Sequence, residues 1–124
     1  MEMNLGPEAL KGKPGVTNNV LAKVQPDLVS YSSYASTNAY ATAMNPKAVD
    51  GNFHKVLDYV QSKLEKRELG LGFQKRVMIG EFGAHAKASP TGIDQTRFVA
   101  RVAHGALSWG CPFVLYWEVP ALHR

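Results

Sequence analysis

Phe53, Val56, Leu57, Val60 and Leu64 recur at spacings of three and four, which puts them on one face of a helix. His54, Lys55, Asp58, Gln61, Lys63 and Glu65 fall elsewhere on the wheel. Asp50 is the expected N-cap of this helix, which runs to about Glu68 and stops at Gly70. The same spacing returns in Phe98, Val99, Val102, Ala106 and Leu107, predicting a second helix opened by Thr91 or Asp94 and ended by Gly110. A shorter helix is expected over 18–24, with Val20, Leu21 and Val24 turned inward.

Between these stretches lie three apolar runs: Asp27 to Ser32, Val77 to Glu81, and Pro112 to Val119. Their hydrophobicity is continuous rather than alternating, the mark of strands covered on both faces. The order (α)βαβαβ implies an α/β fold of three parallel strands joined by helices. Residues 1–15, rich in Gly and Pro and without periodicity, read as a loop lead-in, and 16–124 as the domain. The lead-in has no apolar core of the signal-peptide kind, and no run reaches the length needed to span a bilayer.

Composition narrows the partners. The chain has 124 residues, 45% of them hydrophobic and 19% charged, which suits one folded domain rather than a disordered segment. The net charge of +4 is carried by scattered Lys and Arg, not by a one-signed stripe with aromatics between, so nucleic acid is not an expected partner. Cys111 is the single cysteine, which excludes an internal disulfide or a cysteine-built metal site. No two histidines have metal-ligand spacing and carboxylate company, so neither a metal nor another cofactor is expected.

In parallel α/β sheets functional groups gather at the carboxyl ends of the strands. Here that rule selects Ser30, Tyr31, Ser32, Ser33 and Tyr34 at the end of the first run, Glu81 and His85 after the second, and Tyr116, Trp117 and Glu118 after the third. A carboxylate flanked by aromatic rings suits a sugar: the rings stack on its C–H face and the carboxylate addresses the anomeric carbon.

The segments IGEFG (79–83) and FVLYWE (113–118), one helix apart, resemble the seventh and eighth strands of retaining (β/α)8-barrel glycoside hydrolases of the cellulase and mannanase clan. DLVSYSSY (27–34) is similar to their sixth strand, and the resemblance runs from about Val16 to Val119. It implies part of a TIM barrel, a glycosidase that degrades oligo- or polysaccharide, and Glu81 as catalytic nucleophile. It further implies Trp117 as the floor of the sugar subsite and Tyr34, with Tyr31 second, as hydrogen-bond donor to the nucleophile. His85 is a candidate to line the cleft.

The resemblance is incomplete. The clan's acid/base glutamate, at the end of strand four, has no counterpart here, and retaining hydrolysis needs two carboxyl groups about 5–5.5 Å apart. Glu118 is no substitute, because neighbouring strand residues face opposite ways and Trp117 would claim the mouth. The isolated chain is therefore expected to be weak or inactive, general acid catalysis contributing ~10²–10⁴-fold. A non-catalytic carbohydrate-binding or barrel-assembly remnant is the alternative, and a doubly wound domain unrelated to sugars a third. Exposed edge strands imply self-association or pairing with other barrel fragments, although three strands do not divide eight.

Overall fold

The computed structural model of the chain describes residues 2–3, 6–67, 70, 72–83 and 95–117. Its elements are β1 (Glu2–Met3), α1 (Gly6–Leu10), α2 (Val16–Asn19), α3 (Leu21–Val24), β2 (Val29–Ser32), α4 (Tyr34–Thr37), a 3-10 turn (Asn38–Ala41), α5 (Pro46–Ser62), β3 (Val77–Phe82), α6 (Gln95–Trp109) and β4 (Val114–Tyr116). The strands form one parallel sheet in the order β1-β2-β3-β4. The α/β class and the three parallel strands with helices between them are as expected, and a two-residue strand joins them at one edge. The segment read as a loop lead-in supplies the fourth: Glu2 and Met3 pair with Ser30 and Tyr31. Two residues carry no periodicity, so this pairing had no sequence signal. The consecutive order also lacks the reversal that defines a doubly wound sheet.

One hydrophobic core joins the sheet to its helices. Val29, Tyr31, Val77, Ile79 and Phe82 from the strands meet Phe53, Val56, Leu57, Val60, Phe98, Val102 and Ala106 from α5 and α6. The stripe predicted on the longer helix is buried throughout, Leu64 included. Its start differs: Asn45, not Asp50, is the N-cap, its side chain accepting from Lys47 N at 3.2 Å with Pro46 at the first helical position. Asp50 instead accepts the Tyr40 hydroxyl inside the helical layer. The helix expected over 18–24 is two single turns, and only Leu21 of its apolar residues is buried, Val20 and Val24 being exposed. On α6, Leu107 is exposed and Gly105 buried in its stead, close to Tyr40 Oη and Asp50 Oδ1. Gly110 ends that helix at φ 115°. The openings proposed at Thr91 and Asp94 lie outside the described residues.

The third run departs most from expectation. Its strand spans only Val114–Tyr116, and exposure alternates along it: Phe113, Leu115 and Trp117 are exposed, Val114 and Tyr116 half-buried. Tyr116 packs against Phe82, ring centroids 5.3 Å apart, and donates to Gln95 Oε1 of α6 at 3.0 Å. The helices therefore cover one face of the sheet, and among the described residues no helix covers the other, which bears Ser30, Met78 and Leu115.

At the amino end of the strands, Arg76 is 1% exposed. Its guanidinium donates to the carbonyls of Asp27, Glu65 and Pro26, tying the start of β2 and the end of α5 to the start of β3. Burial, with Arg67 beside it, lowers its pKa, while Asp27 and Glu65 oppose the shift. A cavity of about 970 Å³ at this end is lined by Gln61, Leu64, Glu65 and Arg76, far along the sheet from Glu81.

Cys111 is buried against the core, and desolvation pushes its thiol up to about 12. The thiolate is the reactive form. Folded protein at pH 8 is expected to react with an aromatic disulfide reagent about a thousandfold more slowly than unfolded protein. Stopped-flow absorbance with and without denaturant checks this.

Candidate functional site

Glu81 reaches the open face through an irregularity in β3. The pairs Val29↔Val77, Ser30↔Met78 and Tyr31↔Ile79 step evenly, but the next is Ser32↔Glu81, leaving Gly80 as an extra residue. Against β4 the register shifts over the same stretch, from Ile79↔Val114 to Phe82↔Tyr116. This is a β-bulge, which turns side chains that follow it to the other face. Strict alternation would send Glu81 after Val77 and Ile79 into the helical core. With the bulge, Phe82 takes the buried place and Glu81 stays half-buried on the other side.

Two hydroxyls then clasp the carboxylate, one on each oxygen. Tyr34 Oη donates to Oε1 at 2.7 Å and Ser32 Oγ to Oε2 at 3.2 Å. The local sequence explains both. β2 ends at Ser32, Ser33 N donates to the Glu81 carbonyl at 2.9 Å, and α4 begins at once, carrying Tyr34 to Glu81. Neutral donors fix the carboxylate's rotamer while adding no cation that would draw off its charge.

Trp117 lies at the same end. Its backbone N donates to the Phe82 carbonyl at 2.7 Å, beyond the last ladder pair, and its side chain is 58% exposed. Gly83 permits this approach: a Cβ there would stand 2.0 Å from the Trp117 carbonyl oxygen. Gly83→Ala is expected to push the end of β4 away and cost about 1–3 kcal/mol, the usual range for forced overpacking. Urea unfolding of the variant, followed by circular dichroism, measures it.

Of the residues selected from sequence, Glu81 and Tyr34 meet directly, and Trp117 stands one residue past the neighbouring strand at the same end. Tyr31 does not join them. It is fully buried, faces the helices with Val29, and its hydroxyl pairs with Ser36 Oγ at 2.7 Å. With Ser32 beside Glu81, strand alternation turns Tyr31 to the opposite face. His85 and Glu118 lie outside the described residues. Ser32 belongs to the strand end selected from sequence, but no role was assigned to it there; its signal was parity, since it flanks Tyr31 and so faces the other way. Among the described residues no group of three or more His, Cys, Asp or Glu forms a metal-binding cluster.

No family model matches the chain, and neither curated proteins nor solved structures give a match.

Proposed function

We infer that the chain is part of a (β/α)8-barrel glycoside hydrolase of the retaining type, with Glu81 as nucleophile and Trp117 as the stacking surface for a sugar ring. The observation that carries this reading is the Glu81 carboxylate itself. It sits at the carboxyl end of a parallel sheet, turned out of the core by a bulge, with a hydroxyl donor on each oxygen and an exposed tryptophan one residue past the adjacent strand. An attacking carboxylate must hold its line to C1 without rotating, and the Ser32 and Tyr34 hydroxyls supply that restraint. The consecutive parallel order, with helices on one face, supports the partial-barrel architecture.

Attack by Glu81 forms a glycosyl ester at C1, and water must then cleave it. Ordinary glycosides also need a second carboxyl group to protonate the departing oxygen. The other acids whose side-chain bonds are described are engaged elsewhere: Glu8 with Lys13, Asp27 with Arg67, Asp50 with Tyr40 and Asp58 with Trp109. This favours weak hydrolysis by the isolated chain and supports the second reading, a carbohydrate-binding or barrel-assembly remnant that stacks sugars without cleaving them.

Both readings place a saccharide on Trp117. Nuclear magnetic resonance titration with gluco-, manno- and xylo-oligosaccharides should shift the Trp117 indole N–H. The Trp109 indole, donating to Asp58 at 2.8 Å with Lys75 over its ring, should stay in place. Unmoved Trp117 resonances with all three series would refute both readings.

A further inference from the structure

Two features of the sheet remain unaccounted for within one chain. Parallel sheets are found with both faces covered, because their strands are apolar on both sides. Here the helices cover one face, while the other presents Met78, Leu115 and Trp117, with Phe113 43% and Leu115 50% exposed. Among the described residues the sheet also ends on two parallel edges, the outer sides of β1 and β4, since there β1 pairs with β2 alone and β4 with β3 alone. Unpaired edges are templates for further strands.

Strand number and order point to what fills these places. A parallel barrel closes with eight strands, its inner face filled by side chains and its helices outside. Four strands in consecutive order, with helices on one face, are half of such a ring. A twofold axis along the strands sets β4 of each copy beside β1 of the other, every pair parallel, and the ring shuts with no edge left. Three strands could not close in this way; the short pairing of Glu2 and Met3 with β2 makes the count four.

We propose that two copies of this chain close into one eight-stranded barrel, in which Glu81 of each copy faces Glu81 of the other across a shared mouth. The open faces become the interior, burying Met78 and Leu115 in the layers that fill a barrel. Both Glu81 side chains enter from carboxyl strand ends, so the axis brings them to the same rim. The interior of an eight-stranded barrel is only as wide as the side chains that fill it. Carboxyl groups entering from opposite walls thus fall within the roughly 5–9.5 Å spanned by glycosidase pairs.

On the reading of Glu81 as a glycosidase carboxylate, the second copy supplies the acid that the described residues of one chain do not bring to Glu81. The acid form of one Glu81 gives its proton to the departing oxygen as the C1–O bond breaks and the other Glu81 bonds to C1. Water then cleaves that ester, returning its proton to the first carboxylate.

Multi-angle light scattering over a rising concentration series is expected to reach twice the chain mass and stop there. Leu115→Lys, which puts a charge on the open face, should remain at the single-chain mass with its helical circular dichroism intact. In a Cys111→Ser background, Glu81→Cys treated with a short bis-maleimide should give a covalent dimer, with Trp117→Cys as a second mouth position. Leu107→Cys, on the helical layer, should not cross-link. A single-chain mass at every concentration, growth past two copies, or cross-linking through position 107 in place of 81 and 117 would overturn the proposal. A dimer that cross-links at position 81 yet leaves aryl glycosides intact supports the assembly and removes only the hydrolase reading.

Discussion

Replacing Phe82 with alanine lowers the free energy of unfolding by about 3–5 kcal/mol, the cost of removing a buried phenylalanine side chain. The ring is 1% exposed and packs against Tyr116 at 5.3 Å and Phe98 at 6.2 Å between centroids. It therefore joins β3, β4 and α6 at the point where the bulge turns Glu81 the other way. Domains of this kind hold only about 5–15 kcal/mol in total, so the loss is a large share of the whole. Phe82→Leu should recover most of it by keeping volume at the site. Urea denaturation of the two variants beside the parent provides the comparison.

Arg76→Met is expected to cost about 3 kcal/mol for a different reason. Methionine keeps an apolar stem of similar reach but has no donor, and hydrogen bonds to a charged group are worth about 1.5–3 kcal/mol each, less whatever water recovers. The carbonyls of Pro26, Asp27 and Glu65 lose their shared partner together. Arg76→Lys keeps the charge but not the fork that spans three acceptors, so it should lie between methionine and the parent. Hydrogen exchange at β2 and β3 should quicken from the amino end, where Val29 N donates to the Arg76 carbonyl at 2.8 Å.

These two residues also mark what the sequence could and could not reveal. The α5 stripe was legible because burial at spacings of three and four depends only on the helix itself, and Phe53, Val56, Leu57 and Val60 are all buried, as is Leu64 just past the helix end at Ser62. Parallel pairing followed from apolar runs separated by helices, and the carboxyl-end rule then led to Glu81 and Tyr34. Asn45 with Pro46 was a readable helix start, passed over in favour of Asp50, whose carboxylate serves Tyr40 instead. Other features depend on partners distant in the chain. Arg76 precedes an apolar run and looks like a solvated boundary residue; its burial arises from carbonyls 11 to 50 positions away. The bulge at Gly80 is a property of three strands in register, so strict alternation would have sent Glu81 to the wrong face. The openness of Phe113, Leu115 and Trp117 likewise could not be read from a continuous apolar run, which looks the same whether its second face is covered or bare.

The claim beneath the functional reading is that Glu81 can attack an anomeric carbon. A 2-deoxy-2-fluoroglycosyl fluoride tests it most directly, because fluoride departs without the general acid and the fluorinated ester is slow to hydrolyse. Incubation with gluco-, manno- and xylo-configured probes, followed by intact-mass and peptide analysis, should show one fluorosugar added, located on Glu81 and absent from Glu81→Gln. A chain that keeps its unmodified mass with all three probes, or that carries the sugar on any other residue, contradicts the account.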